Sequence, residues 1–193
     1  LSAVKDILSD GWPVMRAAAL RAAAAIDPEN FVLVLASMDP DPDWTVRAAL
    51  VDVLATLPPE ASLERVRSML ADPDRRVVPA VLAALVRLKD PEAGTLAIAQ
   101  LKEPDFGVRA AAARTVGALK PAGGAEALRA AWTLAQGDAA IDARAAILGA
   151  LAAYGPAEGV PVLREALADR DWALRLHAAA ALQKLDPAAG DVQ

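Results

Sequence analysis

No cysteine occurs in this chain of 193 residues. That excludes disulfides, thiolate catalysis and cysteine-ligated zinc, and it leaves the compartment open. Histidine occurs once, at His177, so neither a metal site nor a catalytic triad has the partners it needs. No apolar run approaches the roughly 18 residues of a membrane span, because an acid, an arginine or a proline interrupts each one. No membrane partner is therefore expected. Basic residues are the minority, 20 against 25 acids, and the net charge of −5 disfavours a general polyanion binder. A glycine-rich phosphate loop is missing too; Gly123-Gly124, following Pro121, reads as a turn. No cofactor and no nucleic acid are expected.

What the chain does contain is alanine, the residue of highest helix propensity, with runs at 17–19, 22–25, 110–113 and 178–181. A fixed period runs through it. Arg16, Arg47, Val78 and Arg109 lie 31 residues apart, Arg144 follows 35 further on, and Arg175 another 31. Six residues before each stands an acid: Asp10, Asp41, Asp72, Glu103, Asp138 and Asp169. Ten residues after each stands a large apolar side chain: Ile26, Leu57, Leu88, Leu119, Tyr154 and Leu185. A proline follows shortly: Pro28, Pro59, Pro91, Pro121, Pro156 and Pro187. A period of about 20–50 residues signals stacked repeats. The chain is accordingly expected to be one continuous array over residues 1–193, with repeats ending near 27, 58, 90, 120, 155 and 186. It starts without Met and its first residues look like the second half of a repeat, so it is read as a piece of a longer protein.

In residues 41–59, Val46, Leu50, Val53, Leu54 and Leu57 fall at helical spacing. Asp43 is placed as an N-cap and Pro58-Pro59 as a stop. The preceding segment, 29–38, carries Phe31, Val32, Leu35 and Met38 on one stripe. Each repeat is thus helix A, a turn bearing the acid, helix B and a proline turn. Neither helix can bury its stripe alone, so neighbours must stack. Relative to the arginine, positions −1, +3, +7 and +10 of helix B should form the core. Position +2, alanine until His177, should be a close-packing flank, and +1, +5 and +8 should face outward.

The stretches 41–50 (DPDWTVRAAL) and 169–175 (DRDWALR) carry an aspartate, then an apolar residue followed by arginine, then small and apolar residues. This pattern resembles the HEAT repeat, in particular the short variety named after phycobilisome lyases. The resemblance covers nearly the whole chain. It implies an all-α, right-handed α–α superhelix of about six helix pairs, with A helices convex and B helices concave. It also implies a structural ladder of charge-assisted hydrogen bonds between neighbouring repeats, here Asp41, Arg47, Glu103, Arg109, Asp138, Arg144, Asp169 and Arg175. Repetition in every repeat argues against reading these as acid–base catalysts, since an active site needs one constellation.

Trp44, Phe106 and Trp172 share position −3, with Trp12 one residue off, and read most simply as packing at one rim. His177 reads as a packing or capping variation. DNA glycosylases built from HEAT-like repeats need a basic, aromatic-lined groove, and the outward B positions here lack the aromatics. Two irregularities stand out. Val78-Pro79 replaces the third arginine and puts a proline about a turn into the helix, where it costs a donor and clashes. Four extra residues precede Asp138, with Trp132 among them.

The expected function is a non-catalytic scaffold that binds a protein or peptide along its concave face, because the outward B positions are mostly apolar. Pro79, Ala83, Val86, Arg87 and Arg114 are the candidate partner-binding residues. The alternatives are a bilin lyase-like enzyme subunit and an accessory array attached to a catalytic domain beyond this piece.

Overall fold

Four of the B helices begin at an aspartate whose carboxylate has a free backbone N–H to accept from. Asp43 accepts from Thr45 N at 2.8 Å, Asp105 from Val108 N at 2.9 Å and Asp171 from Ala173 N at 2.8 Å. Asp74 accepts from Arg76 N at 3.1 Å and opens a 3-10 turn leading into its helix. Such caps satisfy donors that the first helical turn leaves orphaned. The structure, a computed structural model, describes residues 6–36 and 38–186; Pro187 of the periodic prolines lies outside them.

Eleven helices of defined extent follow one another among the described residues: α1 (Pro13–Ile26), α2 (Pro28–Ala36), α3 (Trp44–Leu54), α4 (Pro59–Ser68), α5 (Val78–Arg87), α6 (Ala93–Gln100), α7 (Phe106–Leu119), α8 (Gly124–Ala135), α9 (Asp142–Ala153), α10 (Pro156–Ala166) and α11 (Trp172–Leu185). The odd-numbered helices from α1 to α5 and from α7 to α11 are the B helices at the six periodic positions. The fold is all-α among the described residues. It divides into two compact halves, Leu1–Asp90 and Pro91–Gln193.

In the first half α1 packs on α2 and α3, and α3 packs on α4 and α5. In the second half α7 packs most extensively on α9, which also meets α8, α10 and α11, while α6 lies against α7 and α8. The core is the expected stripe. At position +7 stand Ala23, Leu54, Leu85, Val116, Leu151 and Leu182, all buried, and Val77, Val108, Ala143 and Leu174 at −1 are fully enclosed. The exposed exceptions are Met15 and Ile26 in the first repeat and Leu119 in the fourth, and Leu50 in the second is half-buried.

Both irregularities resolve. Pro79 does not interrupt a helix: residues Arg75–Val77 form a 3-10 turn and α5 begins only at Val78. Pro79 therefore sits in the first turn, where its missing N–H has no intrahelical partner to lose. The four extra residues before Asp138 are shared between a connection and a helix: compared with the α9–α10 repeat, the α7–α8 connection is longer and α8 has 12 residues against 11 in α10. Trp132, on α8 six residues before Asp138, takes the core position held by Leu35, Val66, Ala97 and Leu163 in the other repeats; it is buried and donates its indole N–H to Glu165 Oε1 at 3.1 Å.

At Gly123 the chain turns with φ +74°, a conformation glycine adopts without strain. Gly117 serves closeness instead: a Cβ there would stand 2.8 Å from the Ala150 Cα. Only its absence allows α7 and α9 to approach so nearly.

Candidate functional site

The ladder is built from one geometry used repeatedly. Arg16, Arg47, Arg109 and Arg144 each reach forward to the aspartate of the next repeat. Arg16 donates Nε and Nη2 to Asp41 at 2.7 and 2.8 Å, and Arg47 donates the same pair to Asp72 at 2.8 and 2.9 Å. Arg144 donates Nη1 to both oxygens of Asp169, at 2.7 and 2.6 Å, and Arg109 donates Nη2 to Asp138. The same arginines reach back as well. Nη1 of Arg47 donates to the carbonyls of Asp41 and Pro42 at 2.7 and 3.1 Å, and Nη1 of Arg109 to those of Glu103 and Pro104 at 2.6 and 2.7 Å. Arg175, exposed, donates to the Asp169 and Arg170 carbonyls at 2.8 and 3.2 Å. Asp41, Asp72 and Asp169 are each fixed in turn by the backbone N–H two residues on, from Asp43, Asp74 and Asp171.

The charges follow this geometry. The hydrogen bonds from Arg16 and Arg47 hold Asp41 and Asp72 below the ordinary carboxylate range, against the upward pull of burial. Burial pushes Asp169 up, and the Asp171 N–H and Arg144 together outweigh it, so its net shift is also downward. All of this is the chemistry of holding repeats together.

In the third repeat the ladder position belongs to Val78, which is fully buried. Three residues earlier Arg75 donates Nη1 to the Leu70 carbonyl at 3.0 Å, as the ladder arginines do to their own turns. Sequence reasoning missed this stand-in because it falls out of phase with the period.

The exposed face of the B helices is rotated from the expected one. Position +5 is exposed throughout (Arg21, Asp52, Ala83, Arg114, Gly149, Ala180), and so is +9 (Ala25, Thr56, Arg87, Ala118, Ala153, Lys184). Positions +1 and +8 are not outward as a class: Ala17, Ala24, Ala110 and Gly117 are buried, and Ala48, Ala55, Pro79, Val86, Ala145 and Ala152 are half-buried. The cause is that B helices pack on each other through both flanks, as Gly117 against Ala150 shows. Of the candidate residues, Ala83 and Arg87 are exposed in the first half, with Pro79 and Val86 at the strip's edge. Arg87 pairs with Asp52 on α3 at 2.8 Å. Arg114 is exposed on α7 in the second half.

There, α7, α9 and α11 enclose an open groove of about 550 Å³. Its floor is nearly bare backbone, formed by Ala145, Gly149 and Ala153, and Arg114, Asp142 and His177 edge it. His177, exposed, thus faces a groove and is not a packing residue.

The rim aromatics also depart from expectation. Trp12, Phe106 and Trp172 are 72 %, 48 % and 69 % exposed, so they do not pack between helices. Trp44 is covered by the Arg76 guanidinium, 4.3 Å from its ring centre.

Among the described residues no group of three or more histidines, aspartates and glutamates is placed to hold a metal ion. No described helix is long and apolar enough to cross a membrane.

The geometry agrees with what comparison finds. The chain is similar in fold to the crystal structure of an engineered protein from the Northeast Structural Genomics Consortium. Identity is 20 %, the TM-score is 0.58 and 96 % of each chain is covered. At that identity the likeness concerns the fold alone. No curated protein matches the chain significantly. Residues 31–117 and 132–192 match the family model for HEAT repeats. Helix pairs at this period, joined by an aspartate–arginine ladder and matched over most of their length, make the chain a member of the HEAT-repeat family.

Proposed function

We propose that the chain is a non-catalytic scaffold that binds a protein or peptide segment along the exposed +5/+9 strip of its B helices. The observation that carries this is the groove between α7, α9 and α11. A solvent-facing helix surface ordinarily carries long polar side chains, yet here Gly149 and Ala153 leave the floor open to a partner's side chains. Concave sites with an apolar floor and a few polar groups at the edge are the usual form of a binding surface. In the first half Ala83, beside the Arg87–Asp52 pair, offers a smaller version of the same surface.

The test places charge on each strip separately. Peptides selected from a displayed library against the whole chain should lose binding with Gly149→Glu or with Ala83→Glu, according to the half they occupy. Both positions are exposed, so thermal stability should hardly change. Controls on exposed A-helix positions, Ala61→Glu and Ala130→Glu, should leave binding intact. Peptides lost with the controls and retained by both strip variants would place the binding surface on the A helices and refute the reading.

A further inference from the structure

The first half contains a second concavity, a cleft of about 530 Å³ on the core-facing side of α3. Leu20, Val46 and Leu50 form its floor, Met38 after α2 forms one wall, and Met69 in the 3-10 turn after α4 forms the other. Residues of α2 and α4 both line it, and those two helices do not pack extensively on each other. Drug-sized pockets run from about 300 to 1,000 Å³, so the cleft is large enough for a small molecule.

A second observation marks it as unfilled core. Position +3 of the B helices is occupied by Ala19, Leu50, Val81, Ala112, Ile147 and Ala178. Five of these are 3 % exposed or less, and Leu50 alone is half-buried. A leucine at a core position with no protein neighbour over part of its surface is a ready apolar contact for a ligand.

The polar lining narrows the chemistry. Arg16 and Arg47 are spent on Asp41 and Asp72. Asp39 is exposed to water on its turn. Arg65, half-buried, donates Nη1 to the Leu35 carbonyl at 3.2 Å, and its other N–H groups have no acceptor among the described residues. A guanidinium fork matches a carboxylate in both charge and geometry.

We infer that this cleft binds a small amphiphilic carboxylate, its apolar body against Leu50 and the two methionines and its carboxylate on Arg65. Methionine side chains adapt to irregular apolar shapes, which suits a flexible alkyl chain.

The methionines supply the assay. The chain has three: two line the cleft, and Met15, 43 % exposed on α1, does not. In the full chain carrying methyl-labelled methionine, decanoate below its micelle concentration should shift the Met38 and Met69 methyl resonances saturably and leave Met15 in place. Decanoate should bind about tenfold or more tightly than decanol, the worth of one charge-assisted hydrogen bond. Arg65→Gln should bring the two ligands level, and Leu50→Trp, which fills the cleft, should abolish both. Far-UV circular dichroism and the Met15 resonance report whether each variant is folded. No saturable shift, a Met15 shift equal to the others, or decyltrimethylammonium binding as tightly as decanoate would each overturn the assignment. Should Arg65→Gln fail to fold, equal affinities of the unaltered chain for decanoate and decanol overturn it alone.

Discussion

Replacing Arg47 with alanine removes four hydrogen bonds at once, two to Asp72 and two to the carbonyls of its own turn. The Asp72 side chain is 5 % exposed, so the variant leaves a carboxylate with little access to water. Breaking a buried pair from one side costs about 3–5 kcal/mol. Asp72 keeps the Asp74 N–H at 2.8 Å, which offsets part of this, and the expected loss is about 2–4 kcal/mol. Arg87→Ala is the control. Its pair with Asp52 is 47 % and 54 % exposed, and such surface pairs contribute about 0–1 kcal/mol.

Urea unfolding of both variants, followed by circular dichroism, measures the difference. Removing both partners with Arg47→Met/Asp72→Leu should restore most of what the single change loses, because no buried charge remains. The pH dependence gives a further check. Arg47 lowers the Asp72 pKa in the folded protein, so this stabilisation is complete above the unfolded value of about 3.9 and is lost as pH falls through the folded one. The gap between Arg47→Ala and the unaltered protein should therefore narrow as pH is lowered from about 5 to below 3. Equal costs for Arg47→Ala and Arg87→Ala, or a double variant no more stable than the single one, would refute the argument.

Two further substitutions probe packing. Gly117→Ala should destabilise by about 1–3 kcal/mol, because the new methyl meets Ala150 backbone. Gly149→Ala, with nothing within 4 Å of its Cβ, should stabilise by up to about 1 kcal/mol through helix propensity; thermal melts of the two should move in opposite directions. Trp132→Ala should cost about 3–5 kcal/mol, as expected for a buried tryptophan. It should also remove the bluest component of the tryptophan emission, since Trp12 and Trp172 lie in water.

The period, the helix pairs and the aspartate cap were legible in the sequence. The resemblance to HEAT repeats implied the ladder, but that its arginines reach forward came from the structure. An Asp43 before an apolar stripe caps a helix. The orientation of the exposed strip was not legible. Alanine fits the core, the flank and the surface equally well, so a helix such as α7 offers almost no amphipathic contrast by which to orient it. The half-buried Leu50 could not be told from Leu54 for a related reason. Whether a core leucine is fully covered depends on how far apart two other helices stand, and no local pattern encodes that distance. Arg75 escaped notice because the 3-10 turn moved the arginine three places ahead of the register.

The ladder also sets a rule for how such a chain can change length. Arg16–Asp41, Arg47–Asp72 and Arg144–Asp169 each span 25 positions, whereas Arg109–Asp138 spans 29 and still closes. Four residues are close to one full turn of 3.6 residues. Four residues added within one helix would leave a phase error of only about 40°, within reach of a flexible guanidinium. Two added residues would rotate the aspartate by roughly 200° and point it away from its arginine. Within a helix the ladder thus favours growth by whole turns, while residues added in a connection, as before α8, leave the Arg109–Asp138 link free to close.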